Sequence, residues 1–372
     1  MDFSFTDEQR AIADLAAQIL GDKCTLERLK AVEASADGYD RELWAEFAKA
    51  GLLGAALPEG VGGSGGDFIE ACLLLEQQGR RVAPIPLLPT LVAAMPLARF
   101  GSAAQQQRYL RGVTAGELLL TAALSEFGTD SRSPVTAANP EGPLWRLSGM
   151  KIGVPMAHRA AAVLVPARTP NGEIGIFIVD PQTTGVRLTR QETTDWEAQF
   201  RMELSGVPVE RDALLGSLTE GAQVLNWIVD RATVGLCALQ SGVCQEAVRI
   251  TAEYASNRKQ FDKPIAMFQA VGQRMADSYI DNEAVSLTMW QAASRLASDM
   301  VSAKEIATAK YWAAEGGSRI GHAALHIHGG ISIDVDYPIH RYFLWAKQIE
   351  YTLGAATPHL AHLGALIAAE PA

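Results

Sequence analysis

The residues best equipped for chemistry lie in one short segment, Asn257-Arg258-Lys259-Gln260-Phe261-Asp262-Lys263-Pro264-Ile265-Ala266-Met267-Phe268-Gln269. Arg258 offers a planar fork suited to phosphate oxygens, Phe261 a flat face, and Gln260 and Gln269 neutral amides that donate and accept. Such a set suits a nucleotide. The same residues also read as a basic turn between two helices with Phe261 as its apolar plug. A second segment, His326-Ile327-His328-Gly329-Gly330-Ile331, closes a helix and precedes Asp334-Val335-Asp336-Tyr337-Pro338. Its paired glycines permit positive φ and present no Cβ to a ligand approaching the backbone, and a glycine C-cap is the simpler local reading. His322 and His326 share a helical face at i, i+4, a metal-ligand spacing, but no Glu completes an H-E-x-x-H arrangement and no metal is expected.

Cysteine adds no further chemistry. Cys24, Cys72, Cys237 and Cys244 form no C-x-x-C pair and read as core thiols. The glycine-rich run from Pro58 to Gly66 reads as a loop, because no strand precedes it in the manner of a phosphate-binding loop.

Helices must frame these segments. Thr6 and Gln9 make a capping-box pattern ahead of Ile12, Leu15, Ala16 and Ile19-Leu20, and helical spacing recurs over Arg41–Ala50, Phe68–Gln78, Leu91–Phe100 and Ala103–Leu110. Between about Glu117 and Leu215 the pattern changes to short β-favouring runs, at Trp145–Leu147, Ala162–Pro166, Ile174–Val179, Gly185–Leu188 and Arg201–Leu204. Four long helices are then expected over Val224–Ala255, Phe268–Leu296, Ser302–His326 and Tyr342–Ala369, which suggests a bundle. The fold class is therefore mainly α with a central β-domain, divided as 1–115, 116–218 and 219–372.

A chain of 372 residues is long for a single core. Its formal charge of −10 speaks against nonspecific nucleic-acid binding, which needs a basic surface to release counterions. No apolar run reaches the length of a membrane span, and Met1–Glu8 lacks the basic and apolar regions of a secretory signal, so a cytoplasmic location is expected.

Arg258-Lys259-Gln260-Phe261, with Pro264-Ile265 and Phe268-Gln269, resembles the R-x-x-F-G-x-x-[IL]-x-x-[FH]-Q motif of the acyl-CoA dehydrogenase family, with Asp262 in place of the usual glycine. His328-Gly329-Gly330 and Tyr337-Pro338 resemble that family's G-G-x-G-[FY]-x-x-[DE]-Y-P motif. The resemblance implies an N-terminal helical domain, a middle β-barrel and a C-terminal four-helix bundle that tetramerises. It implies FAD bound across a subunit interface and α,β-dehydrogenation of an acyl-CoA thioester to the 2-enoyl-CoA, with an electron-transfer flavoprotein as electron acceptor. By position, Arg258, Gln260, Phe261, Gln269, His326, Gly329 and Gly330 would reach the adenosine-pyrophosphate part of an FAD held mainly by the neighbouring subunit.

The chain departs from the family where the flavin ring and the base belong. The family stretch T-E-P-x-A-G-S-D reads Leu124-Ser125-Glu126-Phe127-Gly128-Thr129-Asp130-Ser131, and W-[IV]-[ST] reads Gly153-Val154-Pro155. The reaction needs a carboxylate to take the α-proton, yet the usual position holds Leu353 and a minority position holds Ala232. Glu350 and Asp230 are the nearby acids. A kept adenosine-side motif beside an eroded ring site resembles the non-catalytic partner subunit of the heterotetrameric (α2β2) sterol side-chain dehydrogenases, as does the stretch Tyr337–Lys347. Two other readings stay open: a self-sufficient homotetramer using Asp230 or Glu350, and a non-redox homologue that binds acyl-CoA or a partner.

Overall fold

The computed structural model describes residues 4–370; Met1–Phe3, part of the N-terminal reading, lie outside the described residues. Helix α1 (Asp7–Lys23) opens on the expected capping box, with Thr6 Oγ1 accepting from the Gln9 amide and the Gln9 side chain accepting from the Thr6 amide. There follow α2 (Leu26–Glu33), α3 (Arg41–Lys49), α4 (Phe68–Arg81), α5 (Leu87–Phe100) and α6 (Ala103–Thr114). Helix α2 was not expected, and it buries only Leu29, so its apolar periodicity is too thin to read. Helix α5 starts four residues earlier than its spacing suggested because Pro89 falls in the first turn, where a missing N–H costs little.

The β-domain contains β1 (Leu119–Ala122), β2 (Ala137–Glu141), β3 (Leu144–Pro155), β4 (Ala160–Arg168), β5 (Ile174–Val179), β6 (Val186–Gln191), β7 (Gln199–Glu210) and β8 (Leu214–Leu215). Their order is β6-β7-β3-β2-β4-β5-β8, with β1 parallel to β4. No pairing among the described residues joins β6 to β8, so the sheet is not closed into the expected barrel. The edge strand β8 is only two residues long, and β2 meets β4 at a single residue pair.

Helix α7 (Gly221–Asn257) leads into a two-stranded hairpin, β9 (Lys259–Gln260) and β10 (Lys263–Pro264), followed by α8 (Gln269–Ala297), α9 (Ala303–His328), α10 (Ile339–Tyr351) and α11 (Ala356–Ala368). Five helices thus stand where four were expected. The last expected helix breaks because Leu353 and Gly354 take φ of +56° and +98°, which no right-handed helix accommodates.

The chain forms two compact units. One gathers residues up to Ala31, Phe68–Ala83 and the chain from Thr233 onward. Within it α4 and α7 cross with their backbones in contact: a Cβ on Gly79 would strike the Leu239 carbonyl, and one on Gly242 the Glu76 carbonyl. The other unit holds Val32–Asp67 and Pro84–Ala232. Its core joins Ala93 and Leu97 of α5 and Leu110 and Val113 of α6 to Leu120, Leu164, Ile176 and Ile178 of the sheet. Burial on both faces explains why β5 is apolar throughout rather than alternating.

Candidate functional site

The segment expected to meet a nucleotide forms the β9–β10 hairpin and the start of α8. Gln260 pairs with Lys263, and the two turn residues, Phe261 and Asp262, have φ of +51° and +63°. Those are the left-handed values of a tight hairpin turn. Aspartate tolerates them better than most side chains, which lets Asp262 stand where the family motif has glycine. Arg258, Gln260 and Gln269 are exposed. Phe261 is 87% exposed and meets Phe268 edge-on at 6.2 Å, so it is not the plug of an inter-helix turn.

At the end of α9, Gly329 caps the helix with φ of +63°, and a Cβ at Gly329 or Gly330 would meet nothing within 4 Å. His328 holds this end in place. Its Nδ1 donates to the Ala324 carbonyl at 2.8 Å, its Nε2 accepts from the Tyr337 hydroxyl at 3.1 Å, and its ring stacks on Tyr254 at 4.4 Å. Burial keeps this imidazole below its ordinary value, which favours the neutral form. His326 touches the Arg274 guanidinium, which brings the first turns of α8 beside the last turn of α9. Arg274 was missed in the sequence because its partner lies 52 residues away on another helix. His322 turns instead to the Ser318 carbonyl and the Phe343 ring.

The residues at which the resemblance expects the flavin ring lie in the β-domain. Opposite β7, strand β3 carries a bulge: Lys151 pairs with Met202 and Val154 with Phe200, so Ile152 and Gly153 together face Arg201. Gly153 has φ of +57°, and its N–H donates to Gln191 Oε1 at 2.8 Å. A Cβ there would sit 3.2 Å from Gln199 Oε1. Gln199 Nε2 donates in turn to Glu197 Oε2 at 3.1 Å. Burial, reinforced by the Asp195 carboxylate, pushes Glu197 up to about 8. Asp195 is also raised by burial, although the Thr193 hydroxyl and the Glu197 amide donate to it.

Beside the bulge, Lys151 Nζ lies 2.5 Å from Glu126 Oε1 and 2.7 Å from the Pro166 carbonyl, with both side chains almost wholly buried. Burial lowers Lys151 to about 8, against the pull of Glu126. Burial would raise Glu126, but Lys151, the Thr136 hydroxyl and the Val135 amide outweigh it and hold the carboxyl below its ordinary value.

Neither position at which the resemblance expects the base holds an acid. Leu353 stands in left-handed backbone with its carbonyl accepting from His359 Nε2 at 2.9 Å, and Ala232 is buried. Both nearby acids are engaged. Asp230 Oδ1 accepts from Arg132 Nη2 at 2.7 Å while the same guanidinium reaches Asn226, and Glu350 Oε2 accepts from Lys347 Nζ at 2.7 Å.

Residues 6–117 match the acyl-CoA dehydrogenase N-terminal domain, and residues 219–365 match the acyl-CoA dehydrogenase C-terminal domain. The chain belongs to the acyl-CoA dehydrogenase family. It is 39% identical to acyl-CoA dehydrogenase FadE27 of Mycobacterium tuberculosis over the whole of both chains. A chain of the ChsE4–ChsE5 complex from Mycobacterium tuberculosis superposes with a TM-score of 0.95 at 39% identity, covering 100% of each chain. A chain of a Tcur3481–Tcur3483 steroid ACAD variant gives a TM-score of 0.92 at 46% identity, covering 97% of this chain and 98% of its own.

Members of this family bind FAD and are flavin-linked oxidoreductases acting on CH–CH bonds. The two parts of an FAD meet different conditions in this dehydrogenase. The exposed Arg258 guanidinium, the Phe261 ring and the open glycine backbone suit a pyrophosphate and an adenosine. The ring side does not fit: Pro155 has no N–H to offer, Gly153 stands in left-handed backbone, and a Cβ there would crowd Gln199 Oε1 at 3.2 Å. Among the described residues, no helix is long and apolar enough to cross a membrane.

Proposed function

We propose that this acyl-CoA dehydrogenase is the base-lacking subunit of a heteromeric, α2β2 enzyme that converts an acyl-CoA thioester to its 2-enoyl-CoA. In this reading Arg258, Gln260, Phe261, Gln269, His326, Gly329 and Gly330 complete the FAD site of a partner subunit, which supplies the base. The substrate class is a bulky acyl-CoA such as a steroid side-chain thioester, consistent with the likeness to a steroid ACAD. Electrons would pass to an electron-transfer flavoprotein in the cytoplasm.

One observation carries the reading. The Gly153 bulge has its N–H taken by Gln191 and its Cβ position crowded by Gln199, while the cationic hairpin around Arg258 stays exposed. The ion pairs on Asp230 and Glu350 give no support to a self-sufficient enzyme. The visible absorption spectrum tests the proposal. The chain purified alone should be colourless and should yield about one FAD per pair when co-expressed with a second dehydrogenase subunit. Flavin bands from the chain alone would overturn it.

A further inference from the structure

A cleft of about 540 Å³ opens in the unit that contains α1, α2, α4 and α8–α11. Leu26, Leu29 and Ile250 contribute apolar lining, and Arg81, Arg249 and Arg341 line it with positive charge. The volume lies in the range of small-molecule sites, which are typically apolar with a few fixed polar groups.

The charge balance is uneven. Glu246, only 3% exposed, is shared by Arg249 at 2.8 Å and by Arg80 and Arg81 at 4.0 Å each, and Arg249 also takes Glu253 at 2.9 Å. Among the residues that line the cleft, Arg81, Arg249 and Arg341 stand against Glu246 and Glu253, an excess of one positive charge in a chain whose net charge is −10. Of the lining residues in ion pairs with Glu246, Arg81 is the more loosely held, at 4.0 Å against 2.8 Å for Arg249, with a side chain 45% exposed.

We propose that this cleft binds a small anionic amphipath, a carboxylate or phosphate on an apolar body, with Arg81 as its main anion contact. Tyr254 and Tyr337 form one wall of the cleft. They are also the residues that clasp His328, next to Gly329 and Gly330. An occupant therefore presses on the stack that fixes the glycine turn, which couples the cleft to that turn. The inference does not depend on the heteromeric reading.

Cys24 lines the cleft and is half-buried, whereas Cys72, Cys237 and Cys244 are buried, with the thiols of Cys237 and Cys244 pushed up to about 12. Alkylation of Cys24 by iodoacetamide in the full chain, read by peptide mass, therefore reports occupancy. Submicellar decanoate or decyl phosphate should slow it saturably, and the tighter of the two identifies the head group. Decanol should not. Arg81→Gln should raise the half-protecting concentration by about tenfold, the usual scale for losing a hydrogen bond to a charged group. Equal protection by decanol, no protection by either anion, or an unchanged half-protecting concentration in Arg81→Gln would overturn the proposal.

Discussion

The N–H of Gly153 donates to Gln191 Oε1 at 2.8 Å, so a side chain from β6 ties down the bulge where the family resemblance places an indole. Gly153→Trp should therefore not restore a flavin site. Its backbone has φ of +57°, and a Cβ would crowd Gln199 Oε1 at 3.2 Å. We expect a loss of about 1–3 kcal/mol in urea unfolding, from left-handed strain and overpacking together. The variant chain should remain colourless when purified alone. A yellow Gly153→Trp chain of undiminished stability would show that Gln191 and Gln199 do not close the site.

The Lys151–Glu126 pair predicts a large asymmetry between single and double changes. Lys151→Met leaves Glu126 buried with only the Val135 and Thr136 donors. Removing one partner of a buried pair costs about 3–5 kcal/mol. Glu126→Gln combined with Lys151→Met should cost clearly less than the sum of the two single changes, as a double-mutant cycle by urea denaturation would show. Simple additivity would mean the two groups do not interact.

Glu197 should make stability depend on pH. Its carboxyl is raised in the folded chain to about 8, against an ordinary value of 4.5. Between those values the unfolded chain has released a proton that the folded chain retains, so rising pH favours unfolding. The contribution is fully present below 4.5 and lost as the pH rises through about 8; Asp195, also raised, acts in the same direction. Glu197→Gln should equal the wild type near pH 4.5 and exceed it at pH 8.5 by on the order of 2 kcal/mol. A gap that stays constant across that range in urea midpoints would refute the assignment.

Much of this architecture is legible in the sequence where local chemistry and periodicity agree. The Thr6–Gln9 box starts α1 as expected, and β5 matches the Ile174–Val179 run residue for residue. The break at Leu353 is not legible, because apolar spacing continues across it and only Gly354 hints at a left-handed turn. Nor could the neighbours of the Gly153 bulge be read. Loss of the indole shows in the letters Gly153-Val154-Pro155, but Gln191 and Gln199 come from β6 and β7, and only the strand register brings them to the bulge. Arg274 beside His326 fails to show for the same reason.

Arg258 separates a binding role from a structural one. Its side chain is exposed, whereas its backbone N–H and carbonyl are tied to Tyr254 and Ile265. Arg258→Ala should therefore leave helicity and unfolding within about 0.5 kcal/mol of wild type. In the proposed heteromer it should weaken FAD retention by about tenfold or more, as expected for loss of a charge-assisted fork. Equilibrium dialysis of the complex measures this, and unchanged retention would remove Arg258 from the cofactor contacts.

Leu353 allows the missing base to be tested by addition. Leu353→Glu puts a carboxylate where the family usually has one, in backbone already left-handed at φ of +56°. Stability should change little, because the strain of a non-glycine residue there is present in both chains. Activity of the isolated Leu353→Glu chain with acyl-CoA and an artificial electron acceptor should nonetheless stay at background, since a carboxylate alone cannot accept the hydride that the chemistry also requires. Turnover by the isolated variant would mean that the chain holds a working flavin of its own, and the filled bulge at Gly153 would then have to open in solution.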